Sequence, residues 1–341
     1  VRFLKSLIAF IFVLTVLATA AGLGGWIWFN DQVSRPGPLM VPTEFTVDRG
    51  EGLASVAAKL EAEGIIKRRQ LLQLKARIDE TETAIKAGTY AIPAGVSIVS
   101  LLDQLVEGEV IQLRLTIPEG LTTAQILRRV EAADVLSGDM PEREIGEGVL
   151  LPDTYVFGTG TTREQFISRM ETAQDRLLER LWDERQEGLP LQTPYEAVTL
   201  ASVVEKETGI DGERGKVAGL FVGRLKKGMR LESDPTIIYG VSQGEPLYNR
   251  QGQRRTLYRS EIDRKTDWNT YQIDGLPKTP ICNPGRDAIE AVLNPPDTDY
   301  VFFVADGKGG HLFAKTYEEH QQNVAKYREF ERQEIARERG N

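Results

Sequence analysis

The chain opens with an almost unbroken apolar run from Leu7 to Phe29, preceded by Arg2 and Lys5. As a helix, such a run is long enough to cross a hydrocarbon core of roughly 30 Å. It predicts a single N-terminal transmembrane helix, with residues 1–30 forming a cytoplasmic tip and an anchor. Basic residues ahead of the run place the N-terminus in the cytoplasm and everything after Phe29 outside it. Trp26 and Trp28 suit the outer interfacial belt. A competing reading is a signal peptide cleaved after Ala18-Thr19-Ala20. Against it, the run continues through Leu23, Trp26 and Ile27, where a mature N-terminus would turn polar. A buried core helix is disfavoured by length and terminal position.

The remaining chain, of 341 residues in all, is long enough for two soluble domains. A net charge of −8 gives no basic footprint, so no nucleic-acid partner is expected. Cys282 is the one cysteine, which excludes an intrachain disulfide and a thiolate metal cluster. It reads as a small buried side chain. His311 and His320 are too far apart for a His-Glu-x-x-His zinc helix, and no Gly-x-Ser-x-Gly elbow occurs. No metal site and no cofactor are expected. Carboxylate chemistry is what remains.

Residues 31–43, with Ser34-Arg35-Pro36-Gly37-Pro38, read as a stiff linker that does not pack. A small unit over 44–115 follows. Glu44 to Val47 and Gly88 to Pro93 read as strands, and Leu53, Val56, Ala57 and Leu60 as a helix face. Val99 to Leu105 suggests a second helix stopped by Gly108, and Val110 to Ile117 alternates as a strand.

Two acids end the best-defined helix of the larger region, 116–341. Thr193-Pro194-Tyr195-Glu196 supplies a cap, a proline at the first position and a glutamate three residues after the cap. Gly209 supplies a stop. Ala197, Leu200, Ala201 and Val204 share one face, which puts Lys206 opposite, pointing into water, and Glu205 and Glu207 on the two flanks. Periodicity does not choose between the two acids. Either one, set against apolar walls and the negative end of the helix dipole, would have its proton affinity raised. That is the requirement for a general acid. The plain alternative is an amphipathic helix with solvated acids.

Beyond it, Val217 to Leu225 reads as a helix, and Asp234-Pro235 as the cap and first residue of another. Gln243 to Thr266, with Arg250, Arg254, Arg255 and Arg259, reads either as a flexible insertion over the site or as an ordinary solvated loop. Aromatics beside amides and carboxylates in loops, Trp268-Asn269-Thr270-Tyr271 among them, suit a sugar groove. A hairpin is expected over Asp299 to Ala314, with His311 at its edge, followed by a charged helix capped by Thr316.

Several of these segments resemble known families. Phe45-Thr46-Val47, Gly50 and Leu53-x-x-Val56-Ala57 resemble the start of a LysM module, a small fold that binds N-acetylglucosamine polymers. Leu151-Pro152-Asp153-Thr154-Tyr155, Ala201 to Glu207, Gly228-Met229-x-Leu231-x-Ser233-Asp234-Pro235-Thr236 and Asn269-Thr270-Tyr271 follow in order. So do Gly275-Leu276-Pro277, Pro280 to Gly285, Leu293-Asn294-Pro295 and Phe302 to Ala305. Together, from about Phe45 to His320, they resemble the YceG-like endolytic murein transglycosylases.

The resemblance implies an α+β protein: one transmembrane helix, a small LysM-like subdomain, and a larger α+β catalytic domain. It implies endolytic cleavage of nascent peptidoglycan next to N-acetylmuramic acid, leaving 1,6-anhydro ends and limiting strand length. It also implies an inner-membrane location with the catalytic domain periplasmic. Glu205 matches the family's catalytic glutamate. Candidate substrate contacts on the matching motifs are Asp153, Tyr155, Glu207, Ser233, Asp234, Tyr239, Asn269, Tyr271 and Asn283. The partners implied are glycan strands, with cell-wall synthases (penicillin-binding proteins) as candidates. The chain departs from the family pattern at Lys278-Thr279 and at Thr266-Asp267-Trp268, which leaves substrate preference open. Two other functions fit the same scaffold: a hydrolysing muramidase or glucosaminidase, and a glycan-binding scaffold without catalysis.

Overall fold

The computed structural model describes residues 2–340. In chain order the elements are α1 (Arg2–Ser34), β1 (Thr43–Val47), α2 (Leu53–Ala62), α3 (Arg69–Ile78), β2 (Gly88–Ile92), α4 (Ile98–Glu107), β3 (Gln112–Thr116), α5 (Thr123–Glu131) and β4 (Thr154–Gly158). Then come α6 (Arg163–Asp183), α7 (Pro194–Glu207), α8 (Asp211–Lys226), α9 (Asp234–Ser242), α10 (Arg259–Ile262), α11 (Arg286–Leu293), β5 (Phe302–Ala305), β6 (His311–Ala314) and α12 (Tyr317–Gly340). Helix and strand are mixed, as expected, but the strands form three separate two-stranded sheets, β1–β2, β3–β4 and β5–β6. The chain divides into two compact units, Val1–Leu113 with Val156–Thr159, and Arg114–Tyr155 with Gly160–Asn341. The division falls inside both β3 and β4, close to the expected boundary at 115, except that Val156–Thr159 goes to the first unit.

In the first unit β1 and β2 run antiparallel, with Phe45 opposite Tyr90 and Thr46 opposite Thr89. Phe45 and Tyr90 are buried among Val56, Leu60, Leu72, Leu101 and Leu105, from the inner faces of α2, α3 and α4. Gly108 ends α4 in the left-handed conformation (φ 78°), where a side chain would be strained. Helix α3 was not expected from the sequence; it buries Leu72 and Ala76, one turn apart on one face.

Ser6–Ser34 of α1 is long and apolar enough to cross a membrane, with a mean hydropathy of 2.4. Its last turns do something further. Phe29 and Val33 are buried in the core of the first unit, so the helix runs on into the region expected to be linker. Gly37 also packs: its N–H donates to the carbonyls of Gly95 and Val96, and a Cβ there would lie 2.4 Å from the Val96 oxygen. The expectation of an unpacked linker over 31–43 is corrected at these positions. Proline and arginine set the local stiffness, but the apolar spacing of Phe29 and Val33 decides what the helix end covers.

The second unit is built around α7. Its residues from Ala197 to Val204 are all buried, between α6, α8, α9 and α11. Thr193 caps α7 by accepting from the Glu196 N–H at 3.2 Å, with Pro194 in the first turn. The Glu196 carboxylate turns outward and accepts from the Gln192 N–H. In α9 the cap is Ser233, so Asp234 is the first helical residue and not the cap. The C-terminal hairpin forms, with Phe303 opposite Phe313, and Thr316 accepts from the Glu319 N–H at the start of α12.

The packing of Phe29 and Val33 gives a test of the first unit. A fragment beginning at residue 28 keeps both side chains, and one beginning at residue 37 removes both. Losing two buried apolar side chains costs on the order of 3–5 kcal/mol. The shorter fragment should therefore melt at least about 12 °C lower in the transition of this unit, measured by calorimetry. Equal melting would show that the end of α1 adds nothing to the fold.

Candidate active site

Glu205 lies at the end of α7, where the buried stretch of the helix meets the surface. Its side chain is only 7 % exposed. One carboxylate oxygen accepts from the Gly285 N–H at 3.1 Å, at the cap of α11. The other is 3.9 Å from Arg214 of α8. The same guanidinium lies 3.8 Å from Glu119 and 3.7 Å from Asp287. Burial raises the proton affinity of Glu205, and the charge of Glu119 raises it further. The Gly285 N–H, Arg214 and Lys206 oppose this. The net shift is upward. The group is therefore biased to hold a proton, yet has a hydrogen-bond donor and a cation at hand when it becomes an anion.

Glu119 also packs directly on Gly285. A Cβ on Gly285 would fall 1.8 Å from a Glu119 carboxylate oxygen, so no side chain fits there while Glu119 keeps its place. The loop carrying Glu119 is held by Asn283. The Asn283 N–H donates to Leu121, its carbonyl accepts from Gly120, and its side-chain amide donates to Leu121, Thr123 and Glu147. The Asn283 side-chain oxygen accepts from Leu150 at 2.9 Å. Every polar atom of this fully buried side chain is used internally.

Glu207 points into a different place. It lines a cleft of about 480 Å³ with Arg224, Asp234, Tyr271, Phe302 and His311. The Ser233 hydroxyl donates to its carboxylate. Burial pushes Glu207 up to about 7, with Asp234 adding to the shift and His311 and Arg224 opposing it. The Tyr271 hydroxyl donates to Asp234 at 2.8 Å, and burial beside that carboxylate keeps the phenol protonated. His311, expected at a hairpin edge, does begin β6, but its ring pairs with Glu213 at 2.7 Å and lines this cleft. His320 stacks on Phe302, and burial lowers its proton affinity.

The predicted contact residues thus fall into separate groups. Glu207, Ser233, Asp234 and Tyr271 come together. Tyr239 lines a smaller cavity and donates to Glu147 at 3.0 Å. Asn269 is buried and holds the end of the 243–266 segment through the carbonyls of Ile262 and Arg264. Tyr155 is buried edge-on against Phe166, with its hydroxyl on the Leu151 carbonyl. Asp153 is exposed and accepts from the adjacent Thr154 N–H. Cys282 is fully buried, as expected, and burial raises its thiol. Lys206 is exposed but not simply solvated, since it donates to the Gly120 carbonyl at 3.2 Å.

Glu119, Arg214 and Glu147 were not singled out as site residues in the sequence. Glu119 sits in a Pro-Glu-Gly turn just after a strand, and that turn was the available signal. Arg214 lies in the first turn of α8, ahead of the apolar pattern that marked the helix. Glu147, partly buried and bonded to Thr123, Tyr239 and Asn283, is a structural carboxylate.

A shielded carboxyl beside a backbone N–H and a guanidinium is an arrangement suited to general acid and base work. The chain belongs to the YceG-like family, whose family model matches residues 45–326. It is 27 % identical over 313 residues to an endolytic murein transglycosylase of Bacillus subtilis (strain 168), covering 82 % of this chain and 83 % of the relative. It is 29 % identical over 327 residues to an endolytic murein transglycosylase of Streptococcus pneumoniae, covering 82 % of this chain and 57 % of that longer protein. A crystal structure of a YceG-like protein from Listeria monocytogenes is 26 % identical, with a TM-score of 0.49, covering 82 % of this chain and 98 % of that one.

Glu207 generates a stability test. In the folded protein it keeps its proton up to about pH 7, whereas the ordinary carboxyl value is 4.5. Between those values the folded state binds more protons than the unfolded state, so stability falls as pH rises through the window. Glu207→Gln removes this titration. The melting temperature of the variant relative to wild type should therefore rise from pH 4.5 to pH 7.5. A constant difference across that range would show that Glu207 is not held protonated.

Proposed function

We propose that this protein is an endolytic peptidoglycan lytic transglycosylase with Glu205 as its acid and base. The enzyme class, a lytic transglycosylase, accords with its family and with relatives named endolytic murein transglycosylase. The finer chemistry is our reading. The Glu205 proton passes to the glycosidic oxygen between N-acetylmuramic acid and N-acetylglucosamine, and the C1–O bond breaks. The C6 hydroxyl oxygen closes on C1, and its proton returns to Glu205. Every proton is accounted for without water, and the product end is a 1,6-anhydro sugar. An intramolecular nucleophile needs no second carboxylate at the spacing of ordinary glycosidases.

The observation that carries this reading is the balance around Glu205. Burial and Glu119 favour the protonated form that starts the reaction, while Gly285 and Arg214 receive the anion formed midway. Glu207 is the alternative acid, favoured by its value of about 7 and by its position in the larger cleft. In our reading it binds substrate with Ser233, Asp234 and Tyr271 in that cleft. Tyr155, Asn269 and Asn283, buried with their polar groups bonded internally, are then scaffold residues, and Asp153 and Tyr239 are the remaining candidate contacts.

The rest of the chain fits this role. The apolar α1 serves as a single-pass inner-membrane anchor, with the two units on the periplasmic side. The first unit serves as a LysM-like glycan-binding module; the strand, turn and helix over 43–62, closed by β2 on a core of its own, support that assignment. Cutting nascent strands internally would limit their length and put the enzyme beside cell-wall synthases.

Product analysis tests the reaction. Wild-type protein acting on purified glycan strands should release 1,6-anhydro ends, read by mass spectrometry. Glu205→Gln should lower their release by about 100-fold or more, the scale of general acid catalysis. Free reducing ends would make the enzyme a hydrolase, and no new ends would leave a binding scaffold. An active Glu205→Gln with an inactive Glu207→Gln would move the acid to Glu207.

A further inference from the structure

A second cavity, apart from the cleft at Glu207, opens beside the helix that carries Glu205. It encloses about 270 Å³ between Lys206 of α7, Ile238 and Tyr239 of α9, and Leu247, Arg254 and Leu257 of the 243–266 segment. That segment is folded: Tyr248 and Arg254 form an antiparallel bridge, and α10 follows. The charges around the cavity do not cancel. Glu245 is paired with Arg128, and Arg255 with Glu261 through two hydrogen bonds of 2.6 and 2.7 Å. Two cations are left over. Arg254 is exposed and makes no side-chain hydrogen bond or ion pair among the described residues. Lys206 gives one bond to Gly120, which leaves two of its three ammonium hydrogens for a ligand.

The cavity is also close to the acid. A Cβ on Gly120 would lie 3.6 Å from the Cγ of Glu205 and 3.7 Å from the Cδ of Lys206, so both side chains cover the same turn. A ligand group held by Lys206 and Arg254 therefore sits near the glycosidic oxygen that Glu205 protonates. Most of the other lining residues are alkyl or aromatic, interrupted by Thr256 and by the paired Glu245 and Arg255. The fitting occupant is an anion on a short, largely apolar chain.

We infer that this cavity is a specificity site for the peptide stem of the substrate, with Lys206 and Arg254 taking a stem carboxylate and the apolar walls taking its alkyl groups. The inference rests on the reading of the protein as a peptidoglycan lytic transglycosylase. In peptidoglycan the peptide hangs from a lactyl ether on the muramic acid ring, the sugar whose C1 bond is cut. A carboxylate-bearing chain therefore leaves the strand beside the scissile bond, where the cavity lies. The site distinguishes strands that carry peptides from strands stripped of them.

The experiment uses the full chain in detergent and two substrates: uncrosslinked glycan strands with their peptides, and the same strands after an amidase has removed the peptides. Wild type should show a kcat/KM about 10-fold or more higher on the peptide-bearing strands, the scale of one charge-assisted hydrogen bond. Arg254→Glu should remove most of that preference through KM and leave the rate on bare strands unchanged. Arg254→Lys should retain most of the preference. Arg254 is exposed, so both variants should fold, checked by circular dichroism. Anhydro ends from both substrates with no preference in wild type, or a preference that survives Arg254→Glu, would overturn the assignment of the cavity. Anhydro ends from neither substrate would overturn the underlying reaction, and the cavity's role with it.

Discussion

The burial of α7 on all sides from Ala197 to Val204 is the constraint on which the site depends. A helix covered in this way has no solvated face along its middle, so its charged residues collect at the ends, while the hydroxyls of Thr199 and Ser202 inside the buried stretch are bonded to backbone groups. Glu205 and Glu207 occupy the last turn, where one carboxyl is turned toward α8 and α11 and the other toward α9 and the β5–β6 hairpin. Both carry raised proton affinities for the same first reason, the loss of water around the charged form. The core of the second unit and its chemistry are thus one feature.

What separates the two acids is the compensation around each. Glu205 has a backbone N–H and a guanidinium arranged to receive an anion, with Glu119 opposing them. Glu207 has a hydroxyl donor and a neighbouring carboxylate, Asp234, and is pushed to about 7 by burial in spite of Arg224 and His311 in the same cleft. The first environment suits a group that must lose and regain a proton within one turnover. The second suits a group that stays protonated and donates or accepts hydrogen bonds. Gly285 is the hinge of the first arrangement, since its bare backbone admits the Glu119 carboxylate.

Much of this was legible in the sequence, and the gaps have physical causes. Thr193 and Pro194 announced the start of α7, and the Gly108 stop and the glycine-rich turn of the last hairpin marked other element ends, because these signals are local. The apolar spacing along α7 left Glu205 and Glu207 equivalent, since the two fall on opposite flanks of the apolar face, and only the neighbours packed on each flank tell them apart. Asp234-Pro235 suggested a cap one residue late, because Ser233 takes the cap position and turns its hydroxyl to Glu207 instead. The contacts of Glu119, Arg214 and Gly285 with Glu205 join residues far apart in the chain, or lying ahead of the pattern that marks their helix. Phe29 and Val33 looked like the end of an anchor and a linker until their packing on the first unit was seen.

The central claim is that Glu205 works as an acid whose proton is held by burial and by Glu119. The pH dependence of kcat/KM on glycan strands, in wild type and in Glu119→Gln, tests it most directly, because that parameter reports the essential groups of the free enzyme. The account predicts an alkaline limb in wild type above the ordinary carboxyl range, as Glu205 loses its proton. In Glu119→Gln the neighbouring negative charge is gone, so Glu205 ionises more readily and the limb moves to lower pH. A limb that stays in place when Glu119 is neutralised, or a wild-type rate with no alkaline limb, would contradict it.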